Sequence, residues 1–143
     1  MATNTAGGPG YKPYSNQKPY LVKTVTYQTL NSAGDGTGTA NATVVIGELP
    51  PRAFVTYGHT HIVTGFNDTN GDDLDIGVSG SDDDLFASGV DVNSNALTTF
   101  DDLALANQWS TTARTVTANF TTAPSGNGTT GEAVIYLEYY IVP

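Results

Sequence analysis

Residues 53–66, AFVTYGHTHIVTGF, decide how this chain folds. Side chains of a strand point alternately to opposite faces. On that period Phe54, Thr56, Thr60, Ile62, Thr64 and Phe66 share one face, and Val55, Tyr57, His59, His61 and Val63 share the other. The content is β-branched and aromatic, as strands prefer. Pro50-Pro51, just ahead, separates this strand from the run before it, because proline cannot sit inside a central strand.

The same vocabulary extends in both directions. YLVKTVTYQTL (20–30) reads as a strand closed by the turn-forming SAGDGTGTA, and ATVVIGEL (42–49) as the next. LDIGV (74–78) is a short strand behind the turn composition Asn67-Asp-Thr-Asn-Gly71. ARTVTANFTT (113–122) and EAVIYLEYYIV (132–142) flank APSGNGTTG and read as a hairpin. The last strand is apolar on both faces, which suits a central strand of a sandwich or a strand buried at a subunit interface. Helical signals are sparse. Ser81-Asp-Asp-Asp84 fits an N-cap with acids in a first turn, and Thr99-Phe-Asp-Asp102 before LALANQW is a second such start. About seven or eight short strands with Gly, Pro and Asn turns predict an all-β fold, a single-domain β-sandwich of jelly-roll type. The domain spans residues 20–143, and residues 1–19 form an extended N-terminal arm.

That arm and the start of the first strand carry Tyr11, Tyr14 and Tyr20 among Lys12, Lys18 and Lys23, with Gly and Pro in the arm and no acid in the first 23 residues. It fits either a plain tail or an arm that orders on a partner, tyrosine offering contact area at low entropic cost. The rest of the chain is acidic, which takes the whole to a net charge of −9. Such a field excludes nucleic acid as a partner, since phosphate binding needs the opposite sign. No run reaches transmembrane length, and the opening residues lack the apolar region of a signal peptide. Cysteine is absent, which fits folding in a reducing cell and excludes thiolate chemistry.

Eight of the fourteen acids lie in residues 66–92, FNDTNGDDLDIGVSGSDDDLFASGVDV. Asp68, Asn70 and Asp72 match positions 1, 3 and 5 of an EF-hand loop, but Asp73 stands where the turn glycine belongs and Ser79 where the bidentate Glu belongs. Carboxylate catalysis needs one acid raised by burial, and these acids sit in polar, Gly- and Ser-rich sequence. His59 and His61 point to one side of their strand and could share a metal, as in a cupin, but no Glu follows at the expected spacing and these are the only two histidines. Gly77-Val-Ser79-Gly80 lacks the helix of a nucleophile elbow. No catalytic residue and no cofactor is expected. Trp109 reads as core packing, with a sugar-stacking platform as the alternative.

The phrases Phe66-Asn67, Leu74-Asp-Ile-Gly77, Asp82-Asp-Asp-Leu-Phe86 and Val90-Asp-Val92, with the long strand before them and the terminal pair TVTANFTT and GEAVIYLEYYIV, resemble small tailed-phage virion proteins. Over residues 42–143 the chain is similar to head decoration (cement) proteins. The resemblance implies a β-sandwich or jelly-roll body on the outer capsid of a virion made in a bacterial cytoplasm. The major capsid protein is the implied partner, trimers are the implied grouping, and no catalytic residues are implied. On this reading Tyr11, Lys12, Tyr14, Lys18, Tyr20 and Lys23 are capsid-contact candidates, and Ile135, Leu137, Tyr139, Tyr140 and Ile141 are candidates for a homotrimer interface. Two rivals remain: a carbohydrate-binding or fibre-type module, and a cupin-like metalloprotein.

Overall fold

Ala53–Thr64 is the longest strand among the described residues of the structure, a computed structural model that describes residues 18–33, 42–67, 73–104, 108–121 and 128–143. In chain order the elements are β1 (Tyr20–Thr26), α1 (Tyr27–Ala33), β2 (Ala42–Leu49), β3 (Ala53–Thr64), β4 (Asp73–Val78), β5 (Asp82–Asp91), β6 (Ala96–Thr99), β7 (Arg114–Thr121) and β8 (Glu132–Ile141). They form two four-stranded sheets, in the orders β1-β8-β3-β6 and β2-β7-β4-β5. Every pairing is antiparallel. The pairs β1·β8, β2·β7, β3·β6 and β4·β5 are nested, as if one long hairpin had been rolled up, which is the jelly-roll arrangement.

Nested pairing corrects one expectation. β7 and β8 are not a hairpin: β7 pairs with β2 and β4, and β8 with β1 and β3. Hairpin loops run to about five residues, and the longer stretch between these strands instead carries the chain from one sheet to the other. The sequence Ser81–Asp84 is also not a helix start. Asp82 opens β5, and Asp82 pairs with Val78 across the tight turn at Ser79-Gly80, where Gly80 takes φ 74°. The second helical candidate leaves one α-type bond, from Gln108 N–H to the Ala104 carbonyl at 3.1 Å.

The first strand is shorter than its composition suggests, ending at Thr26, and α1 replaces its expected tail. The Thr29 N–H donates to Thr26 Oγ1 and the Thr26 N–H to Thr29 Oγ1, both at 3.4 Å. This is a reciprocal cap in which Thr29 stands where Glu or Gln is usual. Leu30 carries the helix onto the core at 1 % exposure.

The core lies between the sheets. Val25, Ile135 and Leu137 from one meet Leu49, Leu74, Ile76 and Phe120 from the other, all fully buried, and the Phe66 and Phe120 rings approach to 5.7 Å. A β-bulge between Val55 and Tyr57 adds a residue to β3 and reverses its alternation there. Ala53 and Val55 therefore face inward ahead of the bulge, while Gly58, Thr60 and Ile62 face inward after it. Phe54 and Thr56, placed by uninterrupted alternation with the inward set, turn outward instead.

Candidate docking surface

The two sheets present very different outer faces. Residues paired across an antiparallel ladder share a face, so the register of β1-β8-β3-β6 defines its outer rows. Tyr20 lies opposite Glu138, which lies opposite Tyr57. Val22, Tyr136, His59 and Thr99 form the next row, and Thr24, Val134, His61 and Leu97 the one after. Tyr140 pairs with Phe54 at the far end, their rings 5.2 Å apart.

These side chains make a continuous aromatic surface. The Tyr136 ring is stacked between Tyr20 at 5.4 Å and His59 at 5.2 Å, and Tyr57 leans on His59 at 5.6 Å. Separations of this size are those of favourable ring pairs. The surface is open: Leu97 is 63 % exposed, Tyr20 57 % and Val22 50 %. Beside these rings Lys18 Nζ meets Glu138 Oε1 at 2.8 Å, and Glu138 also accepts from Thr56 Oγ1 at 3.1 Å and Tyr136 Oη at 3.4 Å. The hydrogen bond from Lys18 holds the Glu138 carboxyl below its ordinary range. Partial burial, with the Glu138 charge beside it, raises the Tyr136 phenol.

Both histidines lie on this face, as the sequence predicts. Burial, then the neighbouring His61, lowers the pKa of His59. Its Nδ1 is buried with no hydrogen-bond partner. Tyr136 and Thr99 flank His59, and Val134 and Leu97 flank His61. Among the described residues, the one cluster that brings three His, Cys, Asp or Glu ligand atoms together is Asp82, Asp83 and Asp84, all exposed. The Asp84 carboxyl is raised in pKa by its hydrogen bond to Asp82 and by that neighbour's charge. Asp68, Asn70 and Asp72 lie outside the described residues.

The outer face of β2-β7-β4-β5 is polar and acidic. One row runs Thr43, Asn119, Asp75, and Asp73 and Asp91 pair beyond it. Asn119 is 4 % exposed; it accepts from Thr43 Oγ1 at 3.1 Å and donates to Asp83 Oδ2 at 2.8 Å. An open depression of about 390 Å³ lies over these residues, lined also by Ser79, Ser81 and Thr117.

The candidates from sequence are divided by this geometry. Lys18 and Tyr20 belong to the aromatic face; Tyr11, Lys12 and Tyr14 lie outside the described residues. Lys23, opposite Ile135, shares the core-facing side of β1 and is half-buried. Ile135 and Leu137 cannot form an interface with another copy, because both are fully buried in the chain's own core. Tyr139 packs against that core, while Tyr140 and Ile141 stay 42 % and 47 % exposed. Trp109, expected in the core, is 42 % exposed and pairs its backbone with Phe54. Sequence reasoning missed Val22, Phe54, Tyr57, Tyr136 and Leu97. For Tyr136 and Tyr57 the signal was present in the apolar residues on both faces of β8 and on the second face of β3.

No family model matches the sequence, and no curated protein matches it. Several solved structures share the fold. A chain of the capsid of Ralstonia phage GP4 is similar with a TM-score of 0.61 at 19% identity, over 93% of this chain and 89% of that one. A chain of the cyanophage Pam1 capsid asymmetric unit gives 0.61 at 18% identity, over 99% of both. A chain of the acidic stable capsid structure of Helicobacter pylori bacteriophage KHP30 gives 0.60 at 16% identity, over 87% of both. At such identities the likeness is one of fold.

Proposed function

We propose that this chain is a non-enzymatic structural protein of a phage virion, a decoration or cement protein on the outer surface of the assembled head. The observation that carries the reading is the fold shared with chains of three phage capsids over 87% or more of this chain. An aromatic sheet face left open to solvent supports it, since exposed apolar patches of this kind mark binding surfaces. The partner is the major capsid protein, and copies group as homotrimers through the exposed end of β8 at Tyr140 and Ile141. The mechanism is mass action. A protein that binds the assembled shell but not its dissociated subunits stabilises the shell by its binding free energy. The experiment is addition of purified protein to undecorated, expanded heads, followed by electron microscopy. Saturable density on the outer surface is expected; absence of binding would falsify the proposal.

A second reading is favoured by one observation, the exposure of Trp109 beside Phe54 and Tyr140. Exposed aromatic rings also stack on sugars, as in a carbohydrate-binding or fibre module. Quenching of tryptophan fluorescence by glycans, without binding to heads, is the result that selects it.

A further inference from the structure

Resting on the proposed virion role, we infer that the outer face of β1-β8-β3-β6 from Tyr20 and Tyr57 to Leu97 meets the capsid shell and leaves the Tyr140 end to neighbouring copies, while the acidic face of β2-β7-β4-β5 points away from it. Charge separates the two faces. On the aromatic face the Lys18–Glu138 pair is internally neutral and Glu132 stands apart at the Thr26 and Thr64 end, so the rings from Tyr20 to His59 can be brought against a partner without burying an unpaired charge. The opposite face holds Asp73, Asp75, Asp83 and Asp91. Docking by that face would strip water from several carboxylates at once, which costs far more than burying rings returns.

Area then decides the occupant. Strands about 4.8 Å apart with about 3.3 Å per residue give this four-stranded face a footprint of roughly 500 Å². Two copies set face to face would bury about 1,000 Å², at the bottom of the range for a specific interface. The shell would bury a like area through this face alone, so a second contact is what favours it over a second copy. A shell presents the same partner many times, and the seventeen residues ahead of Lys18, which include Tyr11, Lys12 and Tyr14, join the body where Lys18 meets Glu138 and supply chain for a tethered second contact. The partner surface is apolar, carries no strong charge, and offers acceptors to the tyrosine hydroxyls.

The test compares Tyr20→Ser/Tyr57→Ser with Val45→Glu, which alters an exposed position (54 %) on the opposite sheet. Both are assayed on undecorated heads after circular dichroism confirms an unchanged fold. Loss of two exposed aromatic contacts weakens binding by about thirtyfold or more, and Val45→Glu stays within about twofold of the parent on the opposite, wetted side. Parent binding with an unaffected double variant, or with equal loss in both variants, overturns the face and leaves the virion role standing. No binding by the parent overturns both. Self-association in sedimentation that the double variant abolishes assigns the face to a second copy and overturns the inference. Binding of the parent to a glycan array, lost in the double variant, does so as well.

Discussion

His59 shows how much one side chain's setting can differ from its sequence reading. Paired with His61 it has the spacing of a metal site, yet its ring lies stacked on Tyr136, and its Nδ1 is buried without a partner. Burial and the nearby His61 lower its pKa from the ordinary 6.5. The folded state therefore binds fewer protons than the unfolded state just below that value, and stability falls as pH drops through it. The loss is complete once pH is below the folded value. Melting temperature is expected to decline as pH falls below the ordinary histidine range, and His59→Gln should flatten that part of the profile. A variant with the parent's slope sinks this account. The Glu138 carboxyl, held low by Lys18, acts in a separate and more acid window, its contribution lost as pH falls through its depressed value. The companion reading of Trp109 as core failed at the same scale. A lone aromatic residue carries no periodicity to say which side of its segment is covered.

At the scale of elements, β3 was legible as a strand but not in phase. Its alternation placed Tyr57, His59 and His61 on one common face, as they are, and the bulge at Val55–Tyr57 reversed the set before it. Nothing local in AFVTY marks the extra residue, because the bulge answers the register that β8 imposes. Past the bulge, Gly58 accepts the Phe100 N–H at 3.0 Å, and a Cβ there would overlap the Phe100 ring. Gly58→Ala is expected to cost about 2 kcal/mol or more in denaturant unfolding, as overpacking does. Phe100→Leu in that background should recover part of it; strictly additive losses would show that the two positions do not touch. The helix α1 was hidden for a related reason. Val25, Thr26 and Tyr27 favour strand by composition, and the reciprocal Thr26–Thr29 cap ends the strand where composition would extend it.

At the scale of the molecule, the fold places rings on one broad face and acid on the other. The net charge of −9 is therefore not evenly felt, and the basic opening stretch joins the body at the aromatic side, where Lys18 reaches Glu138 and the Pro19 carbonyl accepts the Tyr139 N–H at 3.0 Å. Deleting residues 1–17 keeps these contacts and the sandwich, so the melting temperature should hold. Head binding is expected to weaken by about tenfold or more, the loss of a tethered contact. Undiminished binding means that the body alone makes the attachment. A raised melting temperature would point to a different role for the segment.

The sequence by itself determined the class: alternation and turn residues over most of the chain demand strands, and seven or eight short strands must bury their apolar faces against one another. It also determined that the acid is solvated, since crowded aspartates in Gly- and Ser-rich segments have no apolar shelter. Only the tertiary structure decided which strand meets which. The nested order β1·β8, β2·β7, β3·β6, β4·β5 rests on contacts between residues far apart in the chain, and local propensity carries no record of them. That order buries Ile135 and Leu137 and leaves Tyr136 outside. It also gathers Tyr20, Tyr57, His59 and Tyr136, drawn from three separate strands, into one surface.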